Sequence, residues 1–217
     1  MKLYTININD VEFVNEEIIW MQTGRKESFS RYLSTDRLEQ SAKFKHEADR
    51  KRSLCAGYLL NHALIELGVD LKEPARIAYE EPNGKPYLQD YPGIHFNLSH
   101  SGDYAVCALN NQPVGIDIEE CKGVKEKIAE RFFTAEEYED IHRIKDEWER
   151  TKRFYTYWVL KESFMKATGL GMQLPMNAFR IHLGDVIRYE HSVNDRTYEG
   201  QRIEIAPEYC MAVCHEV

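Results

Sequence analysis

The chain lacks any apolar run close to the ~20 residues that a membrane-spanning helix needs, so a membrane protein is not expected. Its first residues, Met1-Lys2-Leu3-Tyr4-Thr5, have neither the apolar core nor the cleavage pattern of a secretory signal. There is no Cys-x-x-Cys pair, and the five cysteines, Cys55, Cys107, Cys121, Cys210 and Cys214, are odd in number. That pattern reads as free thiols in a reducing cytoplasm, without a structural zinc site. Basic charge is also short: 28 Lys and Arg face 36 Asp and Glu, a net charge of −8. A general binder of nucleic acid or anionic membrane is therefore not expected, and a polyanionic ligand has to be met by a local basic cluster or a metal. Only disorder's signature remains to exclude, and 43% apolar with 12% aromatic residues supply enough core to exclude it.

The apolar periodicity gives an α+β chain. Met1 to Ile8 reads as a strand, and Ser34 to Leu67 as a helical block capped by Ser34 and stopped by Gly68. Ile77 to Leu88 reads as a hairpin turning at Pro82-Asn83-Gly84. Ile94–Leu98, Tyr104–Leu109 and Val114–Glu119 read as a meander, with turns at Ser101-Gly102-Asp103 and Asn110-Asn111-Gln112-Pro113. A second helical block opens on the capping-box pattern Thr134-Ala135-Glu136-Glu137 and runs to Lys166, with a polar break around Lys145–Glu149 and a stop at Gly169 and Gly171. Four strand-like runs follow, over 178–183, 186–189, 201–205 and 210–213.

This succession repeats. Ser34-Thr35-Asp36-Arg37 and Thr134-Ala135-Glu136-Glu137 open matching helical blocks, and Glu208–Cys214 echoes Gly102–Ala108. The expected fold is two similar α+β lobes related by internal duplication, residues 1–112 and 113–217, with an active site at the cleft between them.

Two stretches carry the chemistry. In Val114-Gly115-Ile116-Asp117-Ile118-Glu119 the alternation of a strand puts Asp117 and Glu119 on one face, about 7 Å apart. Such like charges repel unless water or a cation lies against them. The strand is expected to be central or nearly so, and Gly115 leaves room for close approach to its backbone. In Trp158-Val159-Leu160-Lys161-Glu162-Ser163-Phe164-Met165-Lys166 an otherwise apolar helix carries Glu162 and Lys166 one turn apart. Three carboxylates and a lysine beside apolar sequence suit Mg²⁺-dependent phosphate transfer. The plainer reading of each is a solvated strand face and an ordinary i,i+4 pair. Ser99 and His100 end a strand and are placed to donate to an anion; Lys85 follows a hairpin turn, where lysines are usually solvated. Lys43 to Arg52 is the one dense basic run, a solvated helix face or a phosphate clamp.

Taken in order, Asn83-Gly84-Lys85-Pro86, Phe96-Asn97-Leu98-Ser99-His100-Ser101-Gly102, Val114–Glu119, Arg131-Phe132-Phe133 and Trp158-x-x-Lys161-Glu162-Ser163-x-x-Lys166 resemble the Sfp-type 4′-phosphopantetheinyl transferases. The length is similar to that of the two-lobed class of the family. The resemblance implies transfer of 4′-phosphopantetheine from coenzyme A to a serine of an apo acyl or peptidyl carrier protein by a cytoplasmic monomer, with no nucleic-acid or membrane partner. It implies that Asp117, Glu119 and Glu162 hold Mg²⁺, with Mn²⁺ as a substitute. It implies that Arg52, Lys85, Ser99, His100 and Lys166 contact coenzyme A, and that Glu162, Lys166 and Asp117 form the catalytic group. Glu137 matches an acidic position sometimes near the metal, although it also completes the capping box. Gln40 departs from a basic position, which throws the 3′-phosphate onto Arg37, Lys43 or Arg52. Two other readings use the same residues differently: a Mg²⁺-dependent phosphohydrolase, or a carrier-binding module without activity.

Overall fold

A computed structural model describes residues 1–217, which group into two compact units. The first comprises residues 1–79 and 86–111, the second 80–85 and 112–217.

In the first unit, β1 (Lys2–Asn7), β7 (His95–Ser101) and β8 (Tyr104–Asn110) form an antiparallel sheet in the order β1-β8-β7. A smaller sheet, β2 (Val11–Val14), β3 (Glu17–Trp20) and β4 (Lys26–Ser28), precedes the short α1 (Phe29–Tyr32). Then come α2 (Thr35–Ala42), where Ser34 Oγ accepts from the N–H of Arg37, and the long α3 (Glu47–Glu66). From Ser53 to Leu64 every residue of α3 except His62 is buried, because the helix packs on β8 and β7 while α2 covers another side. Each fully buried Leu there, such as Leu60 and Leu64, contributes about 1.5–3 kcal/mol. The expected single block over Ser34–Leu67 is interrupted at Lys43–His46, where His46 is extended (φ −99°, ψ 135°). Lys43, Phe44, Lys45 and His46 are all exposed, so nothing pays for continuing the helix through them. The basic run Lys43–Arg52 is thus divided between this exposed connection and the first turns of α3.

β5 (Ile77–Glu80) and β6 (Lys85–Leu88) form the expected hairpin. The second unit holds a sheet ordered β10-β11-β12-β13-β9, from β9 (Val114–Glu120), β10 (Arg180–His182), β11 (Ile187–Glu190), β12 (Tyr198–Ile203) and β13 (Tyr209–Glu216). Its helices are α4 (Glu126–Phe132), α5 (Ala135–His142) and α6 (Glu147–Thr168). The expected meander is therefore only two-thirds present. β9 does not pair with β8, whose second edge is taken by β1 (Lys2 opposite Leu109, Asn7 opposite Tyr104). β9 instead pairs with β13, which makes it an edge strand of its ladder rather than a central one.

The duplication is visible in the order of elements. α2 and α3 start at residues 35 and 47, α5 and α6 at 135 and 147. The caps agree: Ser34 and Thr134 both accept from a backbone N–H three residues on, and Thr134 with Glu137 forms the full capping box. Gly169 ends α6 in the left-handed region (φ 76°) that a Cβ disfavours.

Candidate active site

The site is assembled where α6 lies on β9 and β13. Gly115 sets how closely. A Cβ built there would lie 2.0 Å from the carbonyl oxygen of Ser163 and 2.5 Å from the N of Ala167, so only glycine lets strand and helix touch. This contact brings the faces carrying Asp117 and Lys166 together. Lys166 Nζ donates to Asp117 Oδ1 at 2.6 Å and to the Ile116 carbonyl at 3.2 Å. Lys166 therefore pairs across to the strand, and the plain one-turn Glu162–Lys166 bridge is not what α6 uses it for. Asp117 is 5% exposed, so its charge is one that water alone does not balance.

Glu162 is half-buried on the same face of α6. Its carboxyl pKa is raised, first by desolvation, then by the charge of Asp117 and more weakly by Glu119, while Lys166 opposes the shift. Asp117, Glu119 and Glu162 thus share one electrostatic environment that holds excess negative charge. No three His, Cys, Asp or Glu side chains form a ready cage for a metal ion. Hard carboxylate oxygens with a negative surplus nonetheless fit Mg²⁺, which takes one or two carboxylates and completes its shell with substrate phosphate and water.

The other expected residues are placed as follows. Ser99, buried, and His100, exposed, end β7 just before the two-residue turn Gly102-Asp103. Arg52 anchors that turn: its guanidinium donates to the Gly102 carbonyl at 2.6 Å and pairs with Asp49 in a very short contact. The Asp49 carboxyl is held below its ordinary value, first by Arg52, with His46 and His100 contributing charge. Arg52 and Asp49 therefore form an ion pair within the first unit, in the electrostatic reach of His46 and His100. Arg37 is half-buried, as Arg52 is, while Lys43 is exposed, and desolvation lowers the pKa of Arg37.

Lys85 is not solvated as a turn lysine ordinarily is. Its Nζ donates to the Ala167 carbonyl at 2.6 Å, in the last turn of α6, and its stem lies against Gly169. Burial lowers its pKa.

Glu137 is engaged by partners of its own. Its carboxylate accepts from the N–H groups of Thr134 (3.0 Å) and Ile181 (2.9 Å) and meets Lys161 Nζ at 2.9 Å, with the two side chains 1% and 0% exposed. Lys161 also donates to the Met176 and Phe179 carbonyls at 2.8 and 2.9 Å. Sequence reasoning gave Lys161 no role. The clue was available: an ammonium in the middle of an apolar helix must have a partner.

Comparison with known proteins identifies the family. Residues 113–214 match the family model described as the 4′-phosphopantetheinyl transferase superfamily, and residues 20–112 match the one described as 4′-phosphopantetheinyl transferase, N-terminal. The chain is 37% identical over 190 residues to 4′-phosphopantetheinyl transferase Sfp of Bacillus subtilis, covering 87% of this chain and 84% of that one. It is 34% identical over 217 residues to 4′-phosphopantetheinyl transferase ffp of Bacillus subtilis, covering 99% and 92%. It is 34% identical over 220 residues to 4′-phosphopantetheinyl transferase psf-1 of Bacillus pumilus, covering 99% and 89%. With its carboxylates and lysine set on the strand and helix that this family model spans, the chain belongs to the 4′-phosphopantetheinyl transferase superfamily.

Proposed function

We propose that this protein transfers 4′-phosphopantetheine from coenzyme A to a serine hydroxyl of an apo acyl or peptidyl carrier protein, releasing adenosine 3′,5′-bisphosphate. The observation that carries the reading is the meeting of Lys166 with Asp117 in the same electrostatic environment as Glu162.

Asp117, Glu119 and Glu162 are the residues that would hold Mg²⁺. When bound, the ion shields the pyrophosphate and steadies charge on the leaving phosphate. The chain's own residues do the rest. Lys166 is the fixed cation for the pyrophosphate, oriented by Asp117. Glu162 takes the proton from the attacking serine, directly or through water. The serine oxygen then forms its bond to the phosphorus that carries pantetheine, and the bond from that phosphorus to the bridging oxygen breaks. Arg52, Ser99 and His100 bind phosphate groups of coenzyme A, and Arg52 at the same time holds the turn behind β7. Lys85 borders the nucleotide from its anchorage on α6.

The carrier docks on Lys122, Lys125, Lys127 and Arg131, all exposed and close in sequence around α4. A chain of net charge −8 gives no general attraction to an acidic carrier, so this local basic strip supplies the complementarity. We further propose that the protein acts as a cytoplasmic monomer; no helix is long and apolar enough to cross a membrane.

Incubation with coenzyme A, Mg²⁺ and an apo carrier, followed by mass measurement of the carrier, tests the reading. The carrier should gain one phosphopantetheinyl group, chelator should abolish the gain, and Mg²⁺ or Mn²⁺ should restore it. Hydrolysis of coenzyme A with an unmodified carrier would make the protein a phosphohydrolase instead. Full transfer in chelator would remove the metal from the scheme.

A further inference from the structure

Cys121 and Cys210 are far apart in the chain and adjacent in space. β9 and β13 run antiparallel with Glu119 opposite Cys210 and Glu120 opposite Tyr209. The Cys121 N–H extends the ladder by donating to the Glu208 carbonyl at 2.7 Å. The two cysteines are thus diagonal neighbours on one face of the sheet. The Cys121 thiol donates to the Cys210 sulfur at 3.6 Å, and the Cys210 thiol donates to the Lys152 carbonyl at 3.6 Å. Cys55, Cys107 and Cys214 are each 0% exposed, whereas Cys121 and Cys210 keep 9% and 7%. The two least enclosed of the five cysteines are therefore the two whose sulfurs already touch.

We propose that Cys121 and Cys210 are a redox modification site, at which hydrogen peroxide converts the hydrogen-bonded dithiol into an intramolecular disulfide joining the end of β9 to β13. The Cys210 sulfur, already the acceptor of the Cys121 S–H, attacks one peroxide oxygen. The O–O bond breaks, leaving a sulfenic acid on Cys210, and the departing hydroxide leaves as water with the Cys210 thiol proton. The Cys121 sulfur then attacks the Cys210 sulfur. The S–O bond breaks, and hydroxide carries off the Cys121 proton as a second water. Two thiols lose two electrons, and one peroxide gains them. The sulfurs already stand 3.6 Å apart, so closure requires side-chain rotation with a small local approach of the two strand ends rather than refolding. The strand end that the bond locks is the one that carries Glu119.

The test uses the reduced protein, dilute hydrogen peroxide and quenching, with intact mass read before any thiol is blocked and remaining thiols blocked only in the portion taken for proteolysis. The intact mass should fall by about 2 Da relative to the reduced protein, proteolysis should yield the cross-linked Cys121–Cys210 peptide pair, and dithiothreitol should reverse both. Circular dichroism should be unchanged throughout. In C121S the same dose should add oxygen to Cys210 instead, since no second thiol resolves the sulfenic acid. Five intact thiols in the wild type would overturn the proposal. So would oxygen addition to Cys210 as rapid in the wild type as in C121S, or a disulfide that forms only after the spectrum shows unfolding.

Discussion

Helices α3 and α6 hold the same place in the two units, yet they carry different residues at the positions that matter. Asn61 of α3 and Lys161 of α6 are both buried polar groups that staple flanking segments. Asn61 donates to the Tyr32 and Gly57 carbonyls at 2.9 and 3.1 Å and accepts from the Ala75 N–H at 2.7 Å. Lys161 bonds the Met176 and Phe179 carbonyls and Glu137. One residue on, His62 lies among aromatic rings, stacked on Tyr58 with centroids 5.4 Å apart, while Glu162 faces carboxylates. The duplicated frame fixes where a helix needs a polar staple, and leaves free whether a neutral amide or an ion pair provides it. Of these two matching positions, only that on α6 carries a residue proposed for the chemistry.

The largest expected effect tests the staples. Lys161→Met leaves the Glu137 carboxylate buried without its cation and should cost about 3–5 kcal/mol in denaturant unfolding. Adding Glu137→Gln should recover most of it. Asn61→Leu strands single neutral groups and should cost about 1–3 kcal/mol. If Lys161→Met proves no worse than Asn61→Leu, the two staples are equivalent and the contrast disappears.

Next comes the adjacent pair. Glu162→Gln should lower kcat by at least ~10²-fold while coenzyme A still binds, and His62→Gln should leave kcat near normal. The same variant has a stability signature. The folded pKa of Glu162 lies above its ordinary 4.5, so the fold binds that proton more tightly than the unfolded chain does. Stability from this group is full below the unfolded value and is lost as pH rises through the folded one. Glutamine cannot ionise, so the variant should melt higher than the wild type at pH 8, with the gap closing toward pH 4. Near-normal kcat, or a lower melting temperature at pH 8, would refute the site.

The smallest effect divides binding from chemistry. Arg52→Ala should raise KM for coenzyme A more than for dephospho-coenzyme A by roughly tenfold, with kcat nearly unchanged. Equal effects on both substrates would reduce Arg52 to an anchor for the Gly102 turn.

Local features were readable from the sequence. Ser34, Thr134 with Glu137, and Gly169 announce helix ends through contacts within a few residues, and the structure has each. The break between α5 and α6 was visible because Lys145 to Glu149 is strongly polar; the matching break at Lys43–His46 was masked by Phe44, which reads as core but is 47% exposed. Pairings made at long range were not readable. Adjacent strands suggested that β9 continues from β8, whereas its partner β13 lies near the end of the chain. Lys166 had Glu162 one turn away and Asp117 49 residues away, and tertiary packing chose Asp117. Lys85 folds back on Ala167 for the same reason, 82 residues distant. Within the site, residue types were legible, while their pairings depended on where α6 lands.

That landing rests on the atom Gly115 lacks. Gly115 is not among the glycines with positive φ, so its backbone would accept any residue; the neighbouring helix would not. Strand and helix meet main chain to main chain, with no flexible side chain between them to act as a cushion. Such a contact contains almost no compressible volume. Hydrostatic pressure, which works on voids, should therefore loosen the periphery of this unit well before it changes the spacing between Asp117 and Lys166. The spacing of Asp117 and Lys166 is gauged by a contact that has little room to swell or shrink.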